Sequence, residues 1–534
     1  MNQVELLDCT LRDGGYAVKW NFGSNTIVNI FSRLVSSGVD IIELGYLRDW
    51  EEFDNNKTSL PKVKDFDAVF DVNFTHRPML VAMIDLGNCR IENICDAKDT
   101  IIDGIRLTFK KARIDEAMEF AKQIIAKGYK LFLQSVSITD YSDAEYLQLI
   151  ERLNEVKPYA ISIVDTYGLM FDYDLMNYFR LLDHNLDSEI RIGYHPHNNF
   201  QMAFANAVEI INGRSRHRLV IDTTVNGIGK DSGNACTELM AYYLNENFGR
   251  QFQISHLLEI IDSELSKLRE RLTWGYSYIG FISATNHCRT EYTKYLLAKK
   301  TLSVASINTI LSRIAPDKRT TAFHEDHIAQ LYAEYQANDM NDEAAVAQLR
   351  EALEGRKLLL MAPGKSLQAE EAKINGFLAK EKPVVIAVNH VPSQYPVNYV
   401  FVSNGQRYGR ILHLLRKWHG SMKIIVTSNI MDELDVCDYV VNYSSLTAEM
   451  ELKDNSMLML LQLLKKIGVQ EVWFAGFDGF SSHESSNYFD QYLVLNEQTH
   501  QKGLNESIIH ELQKLSGGIK MHFVTASEYE VGLR

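Results

Sequence analysis

The sequence predicts an α/β protein: a parallel (β/α)8 TIM barrel with a helical extension, followed by a smaller Rossmann-like α/β domain. Three observations lead there. Eight short runs rich in β-branched residues alternate with helix-length amphipathic segments through the first half of the chain. Polar residues recur at the C-terminal ends of those runs. A second, shorter strand–helix alternation begins after Glu354–Gly355.

In chain order, the barrel strands are expected at Val4–Leu7, Asp40–Leu44, Met79–Ile84, Gly104–Leu107, Lys130–Val136, Ala160–Val164, Glu189–Gly193 and Leu219–Thr223. Segments such as Arg113–Ala126, Asp143–Val156 and Phe200–Ile211 carry apolar residues at helical spacing between them. Such alternation implies parallel pairing, because each crossover carries a helix over the sheet. An open doubly wound sheet is the competitor. The strand ends favour closure: Asp8, Asp13, Glu43, Asp85, Gln134, Asp165, His195, His197 and Asp222 all fall at or just past one. So many polar groups would be wasted in a core, and they suit the mouth of a barrel.

The barrel is expected over residues 1–253 and a helical extension over 254–353, with no strand signal and with Trp274–Tyr278 inside it. The Rossmann-like domain is expected over 354–534, with strands at Lys357–Met361, Pro383–Val388, Asn398–Val402, Lys423–Thr427, Asp438–Val441 and Glu471–Ala475.

Composition narrows the function classes. At 46% hydrophobic and 23% charged residues the chain is ordinary globular material, not a disordered one. A net charge of −14 argues against nucleic acid or anionic membrane as the main partner. No apolar run reaches the ~18 residues of a membrane span, and Glu5 and Asp8 stand where a secretory signal needs basic residues. Cys9, Cys89, Cys95, Cys236, Cys288 and Cys437 form no CxxC pair, which suits reduced thiols. A cytoplasmic protein is expected.

Three segments carry chemistry. In GYHPHNN (193–199), His195 and His197 lie two residues apart at a strand end, so both imidazoles can address one point, with Asn199 near enough to orient a ring. They are either two nitrogen ligands of a divalent metal, completed by a carboxylate from another strand end, or two hydrogen-bonding loop histidines. In LDCTLRDGGY (7–16), Asp13 falls on the same barrel face, and Arg12 offers a fixed charge suited to an enolate or a substrate carboxylate. In DTTVNGIGKDSGNACTE (222–238), Gly227, Gly229 and Gly233 form a flexible loop, and Asn234 can face the mouth as ligand or orienter.

Together these segments resemble the DRE-type, pyruvate-carboxylase-like metal-dependent barrels, which include hydroxymethylglutaryl-CoA lyase, isopropylmalate and homocitrate synthases and 4-hydroxy-2-oxovalerate aldolase. The TLRDG, HxHNN and GxGxxxGN stretches occur in family order over roughly residues 1–315. The resemblance implies Asp13, His195 and His197 as metal ligands and Asn234 on or beside the metal. It also implies Arg12 as the enolate-stabilising residue and Glu43 as an acidic group near the metal. One position departs: where the aldolases carry a histidine base, this chain has Tyr16, whose unperturbed pKa near ~10 suits a base at neutral pH only if its surroundings lower it. Arg12 and a metal are expected to do so. Tyr276, in WGYSYIGF, resembles a site tyrosine of the aldolases, with Tyr278 competing.

The implied activity is a divalent-metal-dependent carbon–carbon lyase or aldolase using Mn or Mg, a 2-oxo acid and an aldehyde, in a homo-oligomer. The alternatives are a Claisen-type acyl-CoA/2-oxo acid synthase and a catalytically impaired barrel serving as a binding scaffold. In the C-terminal domain, Gly364, Lys365 and Ser366 follow a strand in LLLMAPGKSL. This is not a Walker A loop, but a glycine turn opening a helix can bind the phosphate of a nucleotide or nucleotide-sugar, or be an ordinary βα turn.

Overall fold

The computed structural model describes residues 4–70, 77–320, 322–433, 435–481, 487–494 and 503–533. The chain divides into two compact units, Met1–Thr290 and Glu291–Arg534, so the expected helical stretch 254–353 is shared between them.

The first unit is a closed barrel. Its strands are β1 (Val4–Asp8), β2 (Ile41–Leu47), β3 (Ser59–Leu60), β4 (Met79–Asp85), β5 (Gly104–Phe109), β6 (Lys130–Ser135), β7 (Ala160–Asp165), β8 (Arg191–Pro196) and β9 (Leu219–Thr223). They run β1-β9-β8-β7-β6-β5-β4-β2, and β1 pairs with β2 through Leu7–Ile41 and Asp8–Ile42 to close the ring. The two-residue β3 pairs with the outer end of β2 and is not part of the ring. All eight expected strands are present. Two of them run three residues beyond their expected ends: β2 passes through an irregularity between Glu43 and Tyr46, and β8 stays paired with β7 as far as Asp165–Pro196. His195 is thus a strand residue rather than a loop residue.

Strand periodicity determines what fills the barrel. Leu7, Ile41, Val81, Phe132, Ala160 and Val220 form an apolar inward layer with Cys9. Two residues further along the strands, the same face presents Glu43, Gln134, Ser162 and Asp222, all buried. The interior therefore turns from apolar to polar toward the C-terminal ends, where a site of this fold is built. Outside the strands, helices bury one face each. Ser24–Ser37 buries Ile27, Ile30, Phe31 and Leu34 and stops at Gly38, whose φ of +82° suits only a residue without a Cβ. Asp143–Val156 starts at a reciprocal capping box between Ser142 and Glu145.

The second unit holds an all-parallel sheet of β10 (Leu358–Met361), β11 (Val384–Val388), β12 (Tyr399–Val402), β13 (Lys423–Thr427), β14 (Tyr439–Val441), β15 (Glu471–Ala475) and β16 (Lys520–Phe523). The order is β14-β13-β12-β11-β10-β15-β16. Separate apolar cores cover its two faces, as buried parallel strands require. The edge strand β16 was not among the six strands expected. Its sequence, KMHF, is short, and none of its residues is fully buried. Val346, Leu349 and Leu353, from the helix Glu343–Leu353, belong to one of these cores. Among the described residues, no helix is long and apolar enough to cross a membrane.

Candidate active site

Just past β1 the chain makes one helical turn, Thr10–Asp13, that buries both Arg12 and Asp13 at the barrel mouth. Arg12 donates through Nε to Glu43 Oε2 at 2.7 Å and through Nη1 to Asp13 Oδ2 at 2.7 Å. Its Nη2 is buried with no partner. Glu43 also pairs with Arg106 Nη1 at 3.0 Å, while Arg106 Nη2 binds Asp222. Asp222 Oδ2 meets His195 Nδ1 at 2.8 Å, and His195 Nε2 lies 3.3 Å from Asp13 Oδ2. The result is a closed relay Arg12–Asp13–His195–Asp222–Arg106–Glu43, buried throughout.

Three carboxylates face two guanidiniums in this ring, leaving one negative charge in excess. Burial alone would raise Asp13, but the adjacent Arg12 holds it well below the usual carboxylate range. Asp222 is likewise lowered against its burial, mainly by Arg106. Burial pulls His195 down, yet its hydrogen bonds to Asp13 and Asp222 outweigh that and raise it. A proton on His195 thus offsets the excess charge, a role a cation can take over.

His197 brings its ring to 5.1 Å from that of His195, edge to face. Burial, opposed by Asp13 and assisted by His195, lowers its pKa to about 4, so it is neutral at pH 7 with a lone pair to offer. Asn234 is buried, and both its side-chain atoms lack a partner. Its backbone bridges His197, and the loop that carries it passes so close that a Cβ on Gly229 would stand 2.3 Å from Asn234 Nδ2 and 2.8 Å from Asp13 Oδ1. Only glycine fits there. Ligand atoms of Cys9, Asp13 and His195 lie within 4.8 Å of one another. The Cys9 thiol donates to the Thr223 carbonyl at 3.2 Å, and burial raises its pKa well above normal, so it stays protonated and is a poor ligand. Asp13 and His195 suit a hard divalent ion, and His197 and Asn234 stand beside them, although the ligand atoms of His197 are not among those that cluster within 4.8 Å.

Tyr16 stands at the rim, 36% exposed, with its hydroxyl 3.3 Å from that of Tyr46. Its pKa is raised, first by desolvation and then by Asp85, against the pull of the Tyr46 hydroxyl and of Arg12. The lowering expected from Arg12 is therefore outweighed. Asn199 donates to the Tyr167 carbonyl at 2.5 Å and orients neither imidazole. Tyr276 and Tyr278 are 59% and 54% exposed and make no hydrogen bond to the ring of charges.

Sequence reasoning passed over Arg106 and Tyr46 and counted Asp222 only as a strand-end polar group. The signal for Arg106 was present: a lone arginine inside the apolar run GIRLTF of β5, where it pairs across the barrel.

In the second unit, Gly364, Lys365 and Ser366 follow β10, beside the loop after β15, where the strand order reverses. A Cβ on Gly364 would meet the Gly476 carbonyl at 2.3 Å. The Ser366 N–H donates to Asp478 Oδ2 at 2.8 Å, and its hydroxyl donates to Asp478 Oδ1. This carboxylate occupies the donors a phosphate would need, and Lys365 is exposed. Nearby, buried His390 donates through Nδ1 to the Val388 carbonyl at 3.0 Å and leaves Nε2 without a partner.

Residues 3–262 match the HMGL-like family model. The chain is 25% identical over 287 residues to a 4-hydroxy-2-oxovalerate aldolase of Geobacillus genomosp. 3, covering 51% of this chain and 82% of that one. It is 25% identical over 236 residues to an oxaloacetate decarboxylase of Mycobacterium tuberculosis, covering 44% and 68%. It is 26% identical over 263 residues to a 2-isopropylmalate synthase of Halalkalibacterium halodurans, covering 46% and 48%. With the charge relay at its mouth and this match along its length, the barrel of this chain belongs to the HMGL-like family.

Proposed function

We propose that the barrel is a divalent-metal-dependent aldolase that makes or breaks the carbon–carbon bond beside a 2-oxo acid, by way of a pyruvate-type enolate. The observation that carries this reading is the unpartnered Nη2 of Arg12, a buried donor on a guanidinium whose other nitrogens are held by Glu43 and Asp13. Such a fixed donor favours an oxygen on which negative charge develops, because it needs no reorganisation when the charge appears. The names of the relatives point the same way. Cleavage of 4-hydroxy-2-oxovalerate and decarboxylation of oxaloacetate both release the enolate of pyruvate.

Asp13, His195, His197 and Asn234 would hold the metal, Mn or Mg, as a hard ion taking oxygen and imidazole donors. When bound, it supplies Lewis-acid polarisation of the 2-oxo group. The chain's own residues do the rest. Arg12 donates to the enolate oxygen, and Glu43 and Arg106 keep Arg12 and Asp222 in register. Asp222 orients His195 from behind. Tyr16 is neutral at pH 7 as any phenol near its ordinary pKa is, with desolvation of its hydroxyl and Asp85 raising it further, and it serves in the addition direction as the donor that protonates the new alkoxide.

The test is release of pyruvate from 4-hydroxy-2-oxo acids in the presence of Mn²⁺ or Mg²⁺. Metal-dependent pyruvate release supports the aldolase. The 26% identity to a 2-isopropylmalate synthase favours a second reading, Claisen condensation of an acyl-CoA with a 2-oxo acid. Free thiol appearing only when acyl-CoA and a 2-oxo acid are both present would select it and reject the aldolase.

A further inference from the structure

β2 ends at Leu47, and Arg48 follows it directly, two residues past Tyr46. The Arg48 guanidinium lies 4.0 Å from the centre of the Trp20 ring and 4.4 Å from that of Tyr46. Both rings border Tyr16, with centroids 4.8 Å and 6.3 Å from its own. Trp20 is tied to the site directly, donating from Nε1 to the Arg12 carbonyl at 2.8 Å. Arg48 is thus fixed at the rim, one aromatic ring away from the group that handles the alkoxide proton.

Its charge is unanswered. Among the described residues no carboxylate pairs with Arg48, and its Nε is buried without a partner. Two nearby acids have partners of their own, Asp49 with Arg90 and Asn93 and Glu51 with Lys57; Asp85 faces the same rim and accepts from Thr108, Asn88 and, at 3.5 Å, the Tyr46 hydroxyl, but forms no ion pair with Arg48. On the other side, Lys230 holds its Nζ 5.7 Å from the Tyr16 ring centre, also without a carboxylate partner. Its backbone N–H donates to Asp13 Oδ1 at 3.0 Å, which anchors it over the same mouth. In a chain with 69 acidic and 55 basic side chains, two cations without an ion-pair partner against the one carboxylate of Asp85 leave the rim of Tyr16 net positive and mark a place for a negative group.

We propose that the carbonyl partner joined to the enolate carries an anionic end group, carboxylate or phosphate, gripped by Arg48 with support from Lys230. This rests on the enolate reading above and names the class of its second substrate. A guanidinium stacked on two rings is preorganised, so little side-chain freedom is lost when its planar fork takes two oxygens of an anion. The Tyr46 ring that packs against Arg48 also lies 5.8 Å from the Arg12 guanidinium, so the anion site adjoins the enolate donor.

The test uses the full chain with Mn²⁺, pyruvate and aldehydes paired by length: butanal against succinic semialdehyde, and glyceraldehyde against glyceraldehyde 3-phosphate. Product formation is expected to favour the charged member by about 10–100-fold in kcat/KM, a ratio set by one charge-assisted bidentate contact. Which pair shows the larger ratio separates carboxylate from phosphate. Arg48→Met keeps a stem over Trp20 and removes the fork, and it should cut the ratio to within about threefold. Arg48→Lys should restore part of it. Equal kcat/KM within both pairs, or an undiminished ratio in Arg48→Met, would overturn the proposal.

Two parallel measurements keep it separate from the enolate reading. Deuterium exchange into pyruvate alone needs no aldehyde, and its absence would sink the enolate reading itself. Calorimetric binding of the same four aldehydes needs no turnover. There the charged members should bind about tenfold more tightly than the neutral ones, an advantage lost in Arg48→Met. Equal affinities would overturn the anion site even in an inactive protein.

Discussion

Arg12 and Tyr16 divide the chemistry at the level of single side chains, and each can be tested apart from the fold. Arg12→Lys retains one positive charge between Glu43 and Asp13 but cannot keep both contacts and a free donor. Methyl-proton exchange of pyruvate should fall by about 10²–10³, the usual effect of losing one preorganised donor. Thermal melting should register the loosened buried pair as well. Tyr16→Phe keeps the ring against Trp20 and Tyr46 and removes the hydroxyl. It should slow aldol addition by about 10²–10⁴ with metal affinity unchanged, as measured by product formation and by metal titration. Wild-type addition rates would reduce Tyr16 to a lining residue.

Asp8 offers a test that is independent of activity. It accepts from the Thr10 N–H at 2.9 Å and from the Thr237 hydroxyl at 2.6 Å, yet burial outweighs these bonds and raises its pKa to about 6. In the unfolded chain it titrates near ~3.9. Between those values the folded protein keeps a proton that the unfolded chain has released. The stability contributed by this group is therefore full below about pH 4 and lost as pH rises through about 6. Asp8→Asn has no such dependence. Relative to wild type, its melting temperature should improve between pH 4 and pH 7, by the equivalent of about 2–3 kcal/mol. The same difference at both pH values would contradict the assignment.

At the scale of elements, β8 and the loop after β9 carry the ligand set. His195→Ala with His197→Ala should leave the barrel folded and abolish Mn²⁺ binding by elemental analysis. Full metal stoichiometry in the double variant would refute the ligand assignment. Because His195 is raised by Asp13 and Asp222, metal affinity should weaken as pH drops and the imidazole takes up its proton. His197, at about 4, stays neutral across that range.

The eight barrel strands were legible because each is a compact apolar run with a polar residue at one end, and the spacing of His195 and His197 survives any small error in strand boundaries. Other features were not. Arg106 stands out as a lone arginine in an apolar run, but its partners were not legible, because only closure of the ring brings it to Glu43 and Asp222. The raised pKa of Tyr16 depends on Asp85, from a strand distant in sequence. The edge strand β16 lacks the continuous apolar character by which its buried neighbours were found.

Taken whole, the molecule places its charge relay entirely within Met1–Thr290, while the helix Glu343–Leu353 buries Val346, Leu349 and Leu353 in the core of the second unit. A chain ending at Thr290 should therefore stay soluble and retain metal binding with about the stoichiometry of the full protein. One ending at Leu353 should aggregate more readily, because it exposes those three apolar side chains. Equal solubility of the two, by sedimentation, would show that the helix does not need the second sheet.

A barrel mouth that makes and holds the enolate of a 2-oxo acid exchanges the methyl protons of pyruvate with solvent. Deuterium exchange at the methyl group of pyruvate, followed by proton NMR with Mg²⁺ in D₂O, reads that step without any aldehyde or acyl-CoA. Exchange should be fast in the wild-type chain, absent with chelator and absent in His195→Ala with His197→Ala. No exchange in the wild-type protein with metal bound, across several 2-oxo acids, would contradict the account.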